Sequence, residues 1–267
     1  MSAMTYALSD GLTIAKRNLI RTKRLPDVLV WTTMSPIMFV LLFAYVFGGS
    51  IEIPGTSYRE FLIAGIFAQN IIFGASFTGV GLADDMQKGI IDRFRSLPMA
   101  RSAVLVGRTA ADIVNNAIAI SVMALTGLIV GWRVRTSIPE AIGGFVLLLL
   151  FAFAISWIMA YVGLKVRSVE VVNNASFMFI FPLTFIANTF VPSQNLPGVL
   201  RTFAEWNPVS ALAQSAREAF GNAVAYTSAS DAWSLNHPVA YVLLWVAVIL
   251  AIFIPLSVRQ YERSTSA

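Results

Sequence analysis

Six apolar stretches that contain no charged residue and no histidine dominate this chain of 267 residues. Each is long enough, at about 1.5 Å of rise per helical residue, to cross a hydrocarbon core of about 30 Å. Because a backbone in lipid must satisfy its own hydrogen bonds, such stretches fold as helices. The sequence therefore predicts an all-α integral membrane protein, with one six-span domain in residues 27–267. The predicted transmembrane helices cover about residues 28–47, 61–83, 113–132, 141–164, 171–191 and 238–258.

The composition excludes several classes of site. Hydrophobic residues make up 57% of the chain and charged residues only 12%, as expected for a membrane protein. The chain has no cysteine and a single histidine, so we expect no metal site and no catalytic residues. A membrane-embedded enzyme stays an alternative, and its candidate polar residues are Arg201, Glu205, Arg217 and Glu218.

Uncharged spans also argue against an ion-coupled transporter, which usually carries an ionisable residue inside a span. Arg108 and Asp112 come nearest, at the mouth of the third span, where we expect an i,i+4 pair and a snorkelling cation. A membrane assembly or sensor subunit that transports nothing is the other alternative left open.

The basic residues follow the topology of a membrane protein. If both termini are cytoplasmic, the inner segments carry 14 of the 19 Lys and Arg residues, which agrees with the positive-inside rule. This distribution explains the net charge of +5 without nucleic-acid binding. In residues 1–26 the apolar positions share one helical stripe and five cations lie mostly off it, which predicts a cytoplasmic amphipathic helix on an anionic leaflet.

A polar stretch between the second and third spans, residues 84–102, is predicted to contact a soluble partner or the headgroups. Ile90, Phe94 and Leu97 recur at i, i+4 and i+7, which favours a short amphipathic helix from about Met86 to Leu97. Pro98 ends this helix, and Ser102 is placed to cap the next one.

A second long connection, residues 192–237, is predicted to lie outside the cell. It contains a short helix in LPGVLRTFAEW, Leu196–Trp206, and a helix Pro208–Phe220, which Asn207 caps and Pro208 opens. Both segments are rich in apolar residues, so we expect re-entrant helices that dip toward the bilayer. Their role as a gate or as a passive lid stays open.

The second and fifth spans carry aromatic and amide side chains that lipid does not favour. Hydrogen bonds between helices are one explanation, and the lining of a path for large apolar substrates is the other. The candidate path residues are Phe67, Asn70, Phe73, Phe77, Phe177, Phe181, Phe185 and Asn188.

Two segments resemble a known family. KGIIDRFRSLPMARSAVLVGR, Lys88–Arg108, is similar to the first cytoplasmic loop of type-2 ABC transporter permeases of the daunorubicin/doxorubicin-resistance family. FIFPLTFIANTFVPSQNLPGVLRTFAEWNPVSAL, Phe179–Leu212, resembles the fifth span and outer loop of the same family. One departure is that Asp84, Asp85 and Gln87 stand where many relatives have Glu before the Lys-Gly step.

The resemblance implies the permease subunit of an exporter in the bacterial plasma membrane, with residues 84–102 coupled to a separate ATPase. The chain has no G-x-x-x-x-G-K-[ST] segment, so ATP and Mg would be bound by that partner. Two ATPase copies, a second permease chain (a homodimer) and a hydrophobic or lipid substrate are also implied. The implied coupling residues are Asp85, Lys88, Gly89, Ile90, Asp92, Arg93, Phe94, Arg95, Leu97, Pro98 and Arg101.

Overall fold

The computed structural model describes residues 10–11, 13–20, 26–48, 52–91, 103–166, 168–223 and 230–264. Among these residues the structure is helical, and β pairing is limited to an isolated antiparallel bridge between Ile53 and Thr56. Residues 13–20 are helical, as the amphipathic pattern predicts for this part of the chain. The helices labelled below are α1 Pro26–Leu42, α2 Tyr58–Gln87, α3 Ala103–Val130, α4 Ile138–Lys165, α5 Val169–Phe185, α6 Gly198–Glu205, α7 Pro208–Phe220, α8 Trp233–Asn236 and α9 Pro238–Ser264.

Four of the described helices, α2, α3, α4 and α9, are long and apolar enough to cross a membrane. Two shorter apolar helical segments, Met34–Phe47 and Val169–Phe185, correspond to the first and fifth predicted spans. The first of these continues from α1 into a π-helical turn at Phe43–Phe47. These described segments lie at the positions of the six predicted spans, and the number of crossings stays a prediction.

The second and third predicted spans are shorter than the helices that contain them. α2 begins at Tyr58, where the Ser57 side chain accepts a hydrogen bond from the Glu60 N–H, and continues to Gln87. α3 covers Ala103–Val130, and the predicted cap residue Ser102 lies outside the described residues. Arg108 and Asp112 therefore lie within the first turns of α3, as the predicted i,i+4 pair requires.

The fifth predicted span, 171–191, is too long, because α5 ends at Phe185. At its end, side chains donate hydrogen bonds to carbonyls that would otherwise accept from the N–H groups of a next helical turn. Asn207 Nδ2 donates to the carbonyls of Leu183 and Ile186, and Thr189 Oγ1 donates to the carbonyl of Thr184. Residues 186–191 therefore form an irregular segment, which we call the post-α5 segment.

α2 lies at the centre of the bundle and contacts α3, α4, α5 and α7. An aromatic cluster from four separate parts of the chain forms around Phe67 of α2, with ring centroids 4.8–6.0 Å apart. Its members are Phe67, Trp132, Phe145 and Phe220. Such contacts between distant segments fix α2 against α4 and α7.

α7 has the bounds that the cap and proline signals predict. Asn207 Oδ1 accepts a hydrogen bond from the Val209 N–H at 2.9 Å, and the helix ends at Gly221 in the left-handed conformation, with φ of 72°. Most of its residues are buried, because it packs against α2, α4 and α9. The adjacent α6 differs, since Val199, Leu200 and Phe203 are exposed on its surface.

Candidate functional site

The predicted coupling segment starts later than the apolar spacing indicates. Met86 and Gln87 still belong to α2, and the chain turns at Lys88 and Gly89 before it becomes helical again at residue 90. Gly89 has a φ of 64°, a left-handed conformation that glycine adopts without steric cost. The helix predicted from Met86 is therefore interrupted at Lys88 and Gly89, and its residues 92–97 lie outside the described residues.

The charges around this turn face in different directions. Lys88 Nζ lies 2.7 Å from the Asp84 carboxylate, and the lysine side chain is 55% exposed. Asp85, predicted as a coupling residue, is only 4% exposed, so its carboxylate is turned into the chain. A contact residue for a soluble partner is expected at the surface, which Lys88 satisfies and Asp85 does not.

The residue that anchors this turn to the bundle is Ile91, which the apolar spacing did not single out. Ile91 is buried in a hydrophobic cluster, whereas the predicted contact residue Ile90 is half-buried. The cluster joins the 13–20 helix to the start of α3 and to the ends of α4 and α9. Its buried members are Ile14, Leu82, Ile91, Ala103, Val104, Leu105, Trp157, Ala160, Leu164 and Tyr261.

The remaining predicted coupling residues lie outside the described residues. They are Asp92, Arg93, Phe94, Arg95, Leu97, Pro98 and Arg101. Their roles stay predictions.

A buried polar link joins α3 to α2 near the same end of the bundle. Arg108 Nε lies 3.4 Å from Asp112 Oδ2, which confirms the predicted i,i+4 pair. Arg108 Nη2 also donates to the carbonyl of Phe77 at 2.8 Å, so this cation is bound to a neighbouring helix. Thr78 Oγ1 donates to the same Asp112 oxygen at 2.6 Å. The link is thus a network of three side chains, Thr78, Arg108 and Asp112, between two helices.

The structure separates the predicted path residues into two groups. Phe67 and Asn188 are buried within the chain, and Asn70 is half-buried, so Phe67 and Asn188 present no side chain to an open surface. Phe67 belongs to the central aromatic cluster described above. The other five lie on or near one outer face formed by α2 and α5: Phe73, Phe77, Phe177, Phe181 and Phe185.

This face carries a row of contacting rings that continues onto the π-helical turn after α1. Phe181 stacks on Phe185 at 4.1 Å between ring centroids, and Phe185 contacts Phe190 at 5.2 Å. Phe190 in turn stacks on Phe43 at 4.5 Å. The predicted path does not include this continuation, although Phe39, Phe43 and Phe47 recur every four residues and also stack on one another.

The polar residues considered for an enzyme do not form one site. Arg201 is paired with Glu205 at 2.9 Å on α6. Glu218 accepts a hydrogen bond from Gln214, and Arg217 is buried and donates to backbone carbonyls. Burial is the main cause that raises the pKa of the Glu218 carboxyl above its usual value. The described side chains thus give these residues separate structural partners.

Comparison with known proteins identifies the family. Residues 11–220 match the ABC-2 type transporter family. The chain is 30% identical over 264 residues to the daunorubicin resistance ABC transporter permease protein DrrB1 of Streptomyces coeruleorubidus, covering 99% of this chain and 90% of that protein. It is 23% identical over 267 residues to the probable doxorubicin resistance ABC transporter permease protein DrrC of Mycobacterium tuberculosis, covering 99% and 92%. This chain therefore belongs to the ABC-2 type transporter family.

Proposed function

We propose that this chain is the membrane permease subunit of an ATP-driven exporter and that a separate ABC ATPase supplies the energy. The observation that carries the proposal is the family match over residues 11–220, together with two relatives named as resistance permeases. The absence of a Walker A segment from the sequence agrees with nucleotide binding by another subunit.

The position of the coupling segment supports this division of labour. α2 runs without interruption from Tyr58 to Gln87, so the predicted coupling segment, residues 84–102, begins in its last turn. Ile91 packs with the start of α3 and the ends of α4 and α9. Force applied by an ATPase to residues 88–102 would therefore reach several helices, because packed side chains transmit displacement with little compression.

The polar link between α2 and α3 connects the two helices, so a displacement of one is expected to move the other. Arg108 and Asp112 on α3 hold Phe77 and Thr78 on α2 through hydrogen bonds of 2.8 and 2.6 Å. Both helices flank the coupling segment in sequence. We infer that they move as one body when the ATPase acts.

The exposed aromatic face suits an apolar or amphipathic substrate. Phe177, Phe181 and Phe185 are each exposed by more than a third, and Phe73 contacts Phe177 at 5.8 Å. Stacked rings offer a large polarisable surface to drugs, antibiotics, lipids or glycolipids. The two relatives are named for resistance to daunorubicin and doxorubicin, which agrees with export of such compounds.

The same face is where we place a second copy of the chain, so that the rings of both copies border one path. The complete transporter then contains two permease chains and two ATPases, which bind ATP and Mg. Both termini and the coupling segment lie in the bacterial cytoplasm, as the distribution of Lys and Arg indicates.

The coupling segment provides the test of this proposal. We expect Phe94→Ala to weaken binding of the ATPase and to lower substrate-stimulated ATP hydrolysis, because a central aromatic anchor contributes about 2 kcal/mol or more. Arg95→Ala is the matched control, since an exposed charge pair contributes about 1 kcal/mol or less. Both are measured by co-purification with the co-expressed ATPase and by hydrolysis at equal membrane abundance.

Normal complex formation and normal hydrolysis in Phe94→Ala would refute the assignment of this segment as the coupling element. ATP hydrolysis by the purified chain without any ATPase subunit would refute the permease assignment itself.

A further inference from the structure

Arg217 of α7 is a fully buried cation, with 0% of its surface exposed. Within the described part of the chain it has no carboxylate at ion-pair distance. A buried charge is costly unless its N–H groups find acceptors, so the groups that hold this guanidinium must matter for the position of α7. Burial lowers the pKa of Arg217 to about 9, which leaves the side chain charged at neutral pH.

Backbone carbonyls of two other elements take the place of a carboxylate. Nε donates to the carbonyl of Phe61, in the first turn of α2, at 3.0 Å. Nη2 donates to the carbonyls of Asn188 and Thr189, in the post-α5 segment, at 2.6 and 3.4 Å. The guanidinium carbon also lies 3.6 Å from the centroid of the Phe61 ring. One side chain of α7 thus holds both α2 and the post-α5 segment.

The local backbone is built to present these acceptors. α5 ends at Phe185, so the carbonyls of Asn188 and Thr189 are free of helical hydrogen bonds and available to Arg217. Gly65 lets this segment lie directly on α2, because a Cβ at that position would collide with the carbonyl of Thr189. Ser210 Oγ of α7 accepts a hydrogen bond from the Asn188 N–H at 2.9 Å, a second contact between the same two elements.

The hydrogen bonds between Arg217 and these carbonyls are of a kind that can break and form again. Breaking an ion pair in the interior leaves a second buried charge without a partner, whereas breaking a bond to a backbone carbonyl does not. Nη1 has no hydrogen-bond partner among the described residues, so the guanidinium gains a bond when it reaches water or another acceptor. A cation held in this way fixes α7 while it is buried and favours movement once the surrounding helices separate.

We propose that Arg217 is the positioning residue that holds α7 between α2 and the post-α5 segment in the resting transporter, and that each transport cycle releases and restores these contacts. This inference rests on the proposed export function. It makes the position of α7 depend on Arg217, and it goes beyond the division of labour between permease and ATPase.

A single introduced cysteine reports the position of α7, because the natural chain has none. Ser215→Cys is the reporter, since Ser215 is 1% exposed and its Oγ has no partner among the described residues. With Arg217 present we expect slow labelling by a membrane-impermeant maleimide without ATP, and faster labelling when the co-expressed ATPase hydrolyses ATP.

Arg217→Gln should raise the labelling rate without ATP by about tenfold or more, because it removes charge-assisted hydrogen bonds from a buried site. Transport per ATP hydrolysed should fall in the same variant. Arg217→Lys should give an intermediate rate, since a single ammonium group lacks the planar fork that reaches separate acceptors. Arg201→Gln is the matched control, because Arg201 lies on neighbouring α6 with an exposed side chain and should leave labelling unchanged.

The proposal would be overturned if Ser215→Cys is labelled as slowly in the Arg217→Gln background as with Arg217 present. It would also be overturned if labelling in Arg217→Gln is fast but transport per ATP hydrolysed is unchanged. If Arg217→Gln reaches the membrane poorly, Gly65→Ala tests the same contacts with the charge intact, because it pushes Thr189 away from α2. Wild-type labelling in both Gly65→Ala and Arg217→Lys would then overturn it. The labelling rate without ATP does not depend on export, so a failure of the proposed function would appear separately, as absence of transport in the wild-type complex.

Discussion

The network of Thr78, Arg108 and Asp112 offers a quantitative test of how α2 and α3 are held together. The perturbation is Asp112→Ala, which removes the carboxylate that accepts the Thr78 hydroxyl and pairs with Arg108. The side chains of Arg108 and Asp112 are 15% and 7% exposed, so the variant leaves a cation largely buried without its partner.

The expected cost follows from that burial. Removing one member of a buried ion pair destabilises a protein by about 3–5 kcal/mol. Arg108 keeps its bond to the Phe77 carbonyl and some contact with the surroundings, so we expect the lower end, about 3 kcal/mol. Thr78→Val removes a single hydrogen bond between helices, and such bonds contribute about 0.6 kcal/mol on average and up to about 1.7 kcal/mol.

The measurement is the free energy of unfolding in mixed detergent micelles, by denaturant titration of the two single variants and of Arg108→Ala/Asp112→Ala. The double variant should be more stable than Asp112→Ala alone, because it removes the unpaired charge together with the carboxylate. A change below about 0.5 kcal/mol for Asp112→Ala, of the size seen for ordinary surface substitutions, would refute the reasoning. A double variant less stable than Asp112→Ala would refute it equally.

Two further predictions concern topology and the aromatic face. Single cysteines at Ser50 and Ser228 should react with an impermeant reagent in intact cells, whereas those at Ser102 and Ser264 should react only after permeabilisation; the reverse pattern would contradict the assigned orientation. Phe181→Ala removes a ring that is 49% exposed and stacks on Phe185, so it should change which compounds stimulate ATP hydrolysis without lowering membrane abundance. If the same compounds stimulate ATP hydrolysis in Phe181→Ala as in the wild type, this ring contributes to packing and not to substrate choice.

Helix boundaries that depend on local signals could be predicted from the sequence. Asn207 followed by Pro208 combines an N-cap side chain with a residue suited to the first helical position, and α7 begins at that proline. The end of α7 is a second case, since it closes at Gly221 in the left-handed conformation that glycine adopts readily. These signals act within a few residues, so no tertiary information is needed to read them.

Features that depend on distant contacts could not be predicted. Arg217 counted as one outer cation, because nothing near it in sequence shows that carbonyls of Phe61 and Asn188 would bury it. Phe67 resembled a path residue because its partners Trp132 and Phe220 lie far along the chain. Apolar periodicity likewise could not show that Ile91 would pack into the bundle.

The break in the helix at Lys88 and Gly89 could be predicted only in part, because two sequence signals disagree there. A glycine after a helix is a common C-terminal signal, but the apolar spacing of Ile90, Phe94 and Leu97 suggested one helix that begins earlier. Local propensity at Gly89 outweighed the longer pattern, as its φ of 64° shows. The predicted docking face beyond this turn stays a prediction.

Energy-dependent uptake into inverted membrane vesicles tests the central claim most directly. Vesicles that contain this chain and its ATPase are supplied with ATP and a panel of apolar compounds, with doxorubicin as the fluorescent probe. Control vesicles carry the chain with an ATPase whose Walker A lysine is replaced, or the chain alone. We predict ATP-dependent accumulation of at least one compound in the complete system and none in either control. Equal accumulation in vesicles that contain the chain alone, or no accumulation of any compound by the complete complex, would contradict the account.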